Sequence, residues 1–153
     1  MIYEIPGHDK LEINTIILDL NGTLSVTGVV PKGVKERLEK LKSLGLRLVL
    51  FTGNTRGDAD ALCKELGIEW RQAKDAQAKQ SLAEEYGATT CASIGNGLID
   101  LELMKVVALR IVTLQAEGVH VQTLLSSDIV VPTINDALDL FIDTQRLIAT
   151  LRK

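Results

Sequence analysis

Short apolar runs, each ended by a polar or glycine-containing turn and followed by a segment with helical spacing, organise this 153-residue chain. Ile16-Ile17-Leu18 is the first such run, and 46–51, 90–94, 109–113 and 129–131 repeat it. Unbroken apolar runs of this length read as strands buried on both faces, the condition of a parallel sheet covered by helices. Between them, Val34, Leu38, Leu41 and Leu44 predict a helix over 31–44, with Pro31 suited to its first turn and Gly45 to its end. Further helices are expected at 58–66 and 76–86, closed by Gly67 and Gly87, then at 98–107, near 118–125, and from about 135 to 151. A short strand is expected at 68–70.

This alternation predicts an α/β fold: a three-layer, Rossmann-like domain with a doubly wound, mainly parallel sheet and helices on both faces. Ile2 to Ile5, the Pro6-Gly7 turn and Leu11 to Ile13 predict an N-terminal hairpin or edge strand within 1–14. No linker, repeat or low-complexity stretch follows, so 1–153 is expected to be a single domain.

Composition narrows the picture. Apolar residues make up 46% of the chain and aromatics only 3%, so the core must be built from Leu, Ile, Val and Ala. A formal charge of -3 with scattered Lys and Arg argues against nucleic acid as a partner. The charged stretch 32–42 alternates in sign and reads as a solvated helix face. Cys63 and Cys91 lack metal or redox spacing, and His8 and His120 lack acidic or Cys neighbours at ligand spacing. No secretory leader pattern opens the chain, and no apolar run nears the roughly 18 residues of a membrane span. A cytoplasmic protein without a membrane partner is the expectation.

The candidate chemistry sits at strand ends, where open α/β sheets hold their ligands. Asp19 follows the first buried strand and leads into Leu20-Asn21-Gly22-Thr23; Thr52-Gly53-Asn54 ends the next strand. Lys79 belongs to the third helix, with Lys74 as its rival, and Gly95-Asn96-Gly97-Leu98-Ile99-Asp100 ends the strand at 90–94. A carboxylate nucleophile, a hydroxyl and an ammonium for phosphoryl oxygens, and a second carboxylate for a hard cation are the parts that metal-assisted phosphoryl transfer needs.

These four segments, in this order, resemble the haloacid dehalogenase superfamily of Asp-nucleophile phosphohydrolases, and within it soluble proteins similar to the phosphorylation domain of P-type ATPases. The tail Asp128-Ile129-Val130-Val131 to Asn135-Asp136-Ala137-Leu138 also resembles the small soluble members. The resemblance implies that Asp19 is the nucleophile and that Thr52, Gly53, Asn54 and Lys79 contact phosphate. It implies an Mg²⁺ ion held by Asp19, the Asn21 backbone carbonyl, Asn96 and Asp100. The Lys79-to-Gly95 spacing fits the third and fourth motifs better than that of Lys74.

Three departures from the family pattern bear on catalysis. Asn21 stands where the phosphatases carry an acid-base Asp, and an amide cannot do that work. Asn96 replaces a metal-binding acid, and Ile99 replaces the usual Asn before Asp100. The intervals 19–52 and 52–79 have no room for an inserted cap domain. An open site suits a bulky or macromolecular phosphorylated substrate, a neighbouring subunit as cover in a homo-oligomer, or a regulating partner. The expected function is a slow Mg²⁺-dependent phosphatase, the alternative a catalytically weak or inactive regulatory binding module.

Overall fold

Two short antiparallel strands, β1 (Ile2–Tyr3) and β2 (Leu11–Glu12), open the computed structural model, which describes residues 1–153. The main sheet is formed by β3 (Thr15–Leu18), β4 (Arg47–Thr52), β5 (Glu69–Gln72), β6 (Cys91–Gly95), β7 (Leu109–Thr113) and β8 (Ile129–Val131). All pairings in it are parallel, in the order β5-β4-β3-β6-β7-β8. The helices are α1 (Val34–Ser43), α2 (Ala59–Leu66), α3 (Ala76–Glu85), α4 (Leu101–Met104), α5 (Val121–Leu125), α6 (Ile134–Ile142) and α7 (Thr144–Leu151).

Successive side chains of a strand point to opposite faces, and that alternation sorts the core into two layers. Ile16 and Leu18 of β3, Leu48 and Leu50 of β4 and Ala92 and Ile94 of β6 pack against α1, α2, α6 and α7. Ile17, Val49, Phe51 and Cys91 face the other way, onto α3 and α4. Burial on both faces is why these strands are apolar without alternation. Cys63 and Cys91 lie in separate layers as free thiols, each pushed up to about 11 by burial. No helix is long and apolar enough to cross a membrane.

The sheet order fixes where the chemistry can occur. From β3 the chain steps to β4 and β5 on one side, then returns across β3 to place β6 on the other. Such a reversal opens a crevice at the C-terminal ends of the two central strands. Here those strands are β3 and β6, with Leu18 opposite Ile94.

Helix boundaries depart from the sequence reading at three places. The helix expected from Pro31 begins at Val34, because Gly33 adopts a left-handed φ of 91° and any Cβ there would press on the Arg37 guanidinium. The single C-terminal helix is two, broken at Asp143 (φ -105°, ψ 86°), whose carboxylate accepts from Arg146 Nε at 3.1 Å. A ψ of 86° lies outside the helical region, so one helix ends at Asp143 and the next begins at Thr144. The segment expected as a helix over 98–107 is a 3₁₀ turn, Leu98–Asp100, followed by the single turn of α4.

Candidate active site

The first wall of the crevice grows from the end of β3. Asp19 continues the ladder, its N–H donating to the Ile94 carbonyl at 3.0 Å, and the chain then folds back on itself. Leu24 N–H reaches the Asp19 carbonyl (3.2 Å), and Gly22 N–H reaches Ser25 (2.8 Å). Gly22 has φ +78°, and a Cβ there would overlap the Asn96 amide, so only glycine fits this turn. Beyond it the chain makes a tight flap, with Val26 bridged to Val29 and Thr27 N–H on Glu117 Oε2 at 3.0 Å.

The opposite wall is the end of β6. Asp100 turns back onto the strand, and its Oδ2 accepts both the Asn96 and Gly97 N–H groups at 3.1 Å. Gly95 makes room for this, since a Cβ there would sit 2.5 Å from Asp100 Oδ2. Asn96 spends both ends of its amide: Oδ1 accepts from Thr23 Oγ1 (3.2 Å) and Nδ2 donates to the Gly118 carbonyl (3.0 Å).

Lys79 joins the two walls. It projects from α3, whose first turn is capped by Asp75 accepting from Ala78 N–H at 2.8 Å, and its side chain is only 1% exposed. Nζ lies 2.6 Å from Asp19 Oδ1 and 2.7 Å from Asp100 Oδ1. Burial alone would lower the ammonium's pKa, but the two carboxylates outweigh it and hold Lys79 above its ordinary value. Asp19 moves the other way: burial first, then repulsion from Asp100, push it up to about 6 despite the pull of Lys79.

A cavity of about 220 Å³ opens over this group. Asp19, Asn21, Thr52, Gly53, Lys79, Asn96, Gly97 and Ile99 line it, and the buried Asp100 is joined to it through Lys79. Asn54 stands outside. Its φ is +54°, its N–H donates to Thr52 Oγ1 (3.1 Å), and its Oδ1 accepts from Ala59 at the start of α2 (3.0 Å). The cavity wall instead includes Thr55 and Lys74. Lys74 is therefore a rim residue, while Lys79 is the buried cation. His120 is half-buried: its ring Nδ1 accepts from Thr123 N–H at 3.3 Å, and its backbone N–H donates to the Asn96 carbonyl at 2.9 Å. Thr23, Thr113 and Gln115 also support the site, through contacts spanning more than 70 residues that no local pattern announces.

No group of three or more His, Cys, Asp or Glu side chains is placed to hold a metal ion by itself. The charge balance nevertheless suits a hard cation, because Asp19 and Asp100 carry two negative charges against the single positive charge of Lys79. Asn21 lines the same cavity, and its carbonyl accepts no hydrogen bond from the protein, so that oxygen is left free as a further hard donor. The segments between Asp19 and Thr52 and between Thr52 and Lys79 hold the flap, α1, β4, α2, β5 and the first turn of α3, with no cap domain.

A family model for the haloacid dehalogenase-like hydrolases matches residues 25–107. The soluble P-type ATPase-like phosphatase of Methanocaldococcus jannaschii is 28% identical over 137 residues, 85% of this chain and 50% of that one. An uncharacterized protein of the same organism is 45% identical over 73 residues, 48% of this chain and 78% of its own length. The chain thus spans about half the length of the first of these relatives. Among solved structures, the 3-deoxy-D-manno-octulosonate 8-phosphate phosphatase of Moraxella catarrhalis, in complex with magnesium ion, phosphate ion and KDO, superimposes with a TM-score of 0.69 at 25% identity, covering 92% of this chain and 94% of that one. By the matched family model, the six-stranded parallel sheet and the capless crevice at its switch point, this chain belongs to the haloacid dehalogenase-like hydrolases.

Proposed function

We propose that the protein is a capless, Mg²⁺-dependent phosphohydrolase that works through an aspartyl-phosphate on Asp19. The observation that carries this reading is the Lys79 ammonium held between Asp19 and Asp100 at the ends of the two central strands. Asp19, the Asn21 carbonyl and Asp100 would hold the ion, with the Asn96 amide oxygen as a weak further donor. When bound, the ion neutralises charge on the carboxylates and on the phosphoryl oxygens.

In the first step an Asp19 carboxylate oxygen attacks phosphorus, and the bond to the leaving oxygen breaks. In the second, water attacks the same phosphorus, releasing inorganic phosphate and restoring the Asp19 carboxylate. Thr52 Oγ1 and the Lys79 ammonium contact the phosphoryl oxygens in both. Asn21 neither protonates the leaving oxygen nor takes a proton from water. Leaving groups that depart as stable anions are therefore favoured, and acyl and aryl phosphates should outrun alkyl ones. The open crevice admits a bulky phosphorylated substrate.

A second reading, a phosphate-binding regulatory module, draws on one observation: the Asn96 amide is committed to Thr23 and Gly118 rather than left open. Hydrolysis of p-nitrophenyl phosphate and acetyl phosphate with Mg²⁺, with Asp19→Ala as the matched control, separates the two. Phosphate release that disappears in the control supports the enzyme. Equal background rates in both proteins favour the binding module.

A further inference from the structure

The turn after Asp19 is held from a distance by one side chain. Gln115, half-buried just beyond β7, places its Nε2 3.1 Å from the Gly22 carbonyl and 2.8 Å from the Thr23 carbonyl, while its Oε1 accepts the Ile134 N–H at 3.0 Å. Both donor hydrogens and the acceptor of the amide are thus in use. Thr113, fully buried at the end of β7, adds its hydroxyl to the Gly22 carbonyl at 3.0 Å.

These bonds complete the fixation of three successive peptide groups. The 21–22 peptide donates Gly22 N–H to Ser25, and the 22–23 peptide donates Thr23 N–H to Leu20 (3.3 Å) while its carbonyl is held by Thr113 and Gln115. The 23–24 peptide donates Leu24 N–H to Asp19 while its carbonyl is held by Gln115. Within a trans peptide the C=O points opposite to the N–H. With Gly22 N–H fixed on Ser25, the Asn21 carbonyl is fixed pointing the other way, and it is the one carbonyl of residues 21 to 23 with no hydrogen bond from the protein. Gly22 would otherwise be the softest point of the turn, because glycine alone moves freely between left- and right-handed φ.

We propose that Gln115 is a positioning residue for the cation site: by clamping the Gly22 and Thr23 carbonyls it holds the free Asn21 carbonyl in the orientation that ligates the metal. The proposal rests on the Mg²⁺ reading above. It also ties the site to the start of α6, since the same amide accepts from Ile134. A carboxylate at this position would still accept from Ile134 but would face two carbonyls, and a thioether would fill the space without donating.

Mg²⁺ affinity is measured by titration calorimetry on wild type, Gln115→Met, Gln115→Glu and Thr113→Val, with thermal unfolding of the metal-free proteins alongside. Loss of outer contacts of this kind typically weakens metal binding about 10- to 100-fold. That fall is expected for both Gln115 variants, with a smaller fall of the same sign for Thr113→Val, in proteins that remain folded at the assay temperature. Lower melting temperatures with unchanged Mg²⁺ affinity would overturn the proposal and leave Gln115 a purely structural clasp. Absence of Mg²⁺ binding in wild type would overturn the Mg²⁺ reading itself, and this proposal with it. Should Gln115→Met fail to fold, Gln115→Glu and Thr113→Val decide.

Discussion

Lys79 Nζ and Asp19 Oδ1 lie 2.6 Å apart at the C-terminal end of the central strand, and the same ammonium reaches Asp100 at 2.7 Å. One buried cation serving two carboxylates leaves a deficit of positive charge in a place where water is largely excluded. Burial first, and then the nearby Asp100 charge, raise the pKa of Asp19, and the charge deficit makes the crevice receptive to a further cation.

Removing the cation exposes the imbalance. Lys79→Met leaves Asp19 and Asp100 facing each other without compensation, and breaking a buried ion pair this way typically costs about 3–5 kcal/mol. Urea unfolding of the metal-free protein should show a loss of that order. Adding Asp100→Asn to Lys79→Met should recover part of it, because one of the stranded charges disappears.

The Asp19 pKa sets a pH dependence with a definite sign. In the folded, metal-free protein Asp19 keeps its proton up to about 6, against 3.8 in the unfolded chain. The folded state therefore binds more protons across that interval, and this group's contribution to stability is full below pH 4 and lost as pH rises through 6. The loss is on the order of 3 kcal/mol. Asp19→Asn should abolish that slope and unfold at higher urea than wild type at pH 7. A bound cation should shift the midpoint of the slope downward.

Asn21 and Asn96 differ in what an acid would do there. Asn21 is exposed at the cavity, so Asn21→Asp supplies an acid-base group where one can act, worth typically 10²- to 10⁴-fold. Steady-state assays should show the gain to be largest on alkyl phosphates. Asn96→Asp instead turns a carboxylate oxygen onto the Gly118 carbonyl that the amide now serves at 3.0 Å. Its melting temperature without metal should fall below that of wild type.

Gly95 gives a test of the Asp100 wall. A methyl group there would lie 2.5 Å from Asp100 Oδ2, the oxygen that accepts from Asn96 and Gly97. Gly95→Ala should displace the carboxylate and weaken Mg²⁺ binding measured by calorimetry. Gly45→Ala, whose Cβ would meet nothing within 4 Å, should leave Mg²⁺ affinity unchanged.

What the sequence disclosed and what it withheld follow from the range of the forces involved. Ile16-Ile17-Leu18 and Val49-Leu50-Phe51 announce doubly buried strands because burial acts on every residue of the run, and the turns after them locate the crevice. Lys79 was separable from Lys74 only through its spacing to Gly95; the difference in their burial belongs to the folded chain. The break at Asp143 is a single non-helical backbone conformation within a segment that is otherwise periodic. Asn54 reads as a phosphate contact from its place after Thr52, yet its side chain caps α2. Gln115 meets Gly22 and Thr23 across more than 90 residues, so nothing near it in the chain marks it.

On the proposed mechanism, Asp19 becomes phosphorylated during turnover. The most direct measurement is mass spectrometry of the protein mixed with acetyl phosphate and Mg²⁺ and quenched in acid, followed by peptide mapping. A phosphoryl group carried by wild type on the peptide containing Asp19, and missing from Asp19→Asn, is the expected result. Steady phosphate release with no such adduct in wild type, continuing in Asp19→Asn, would contradict the account.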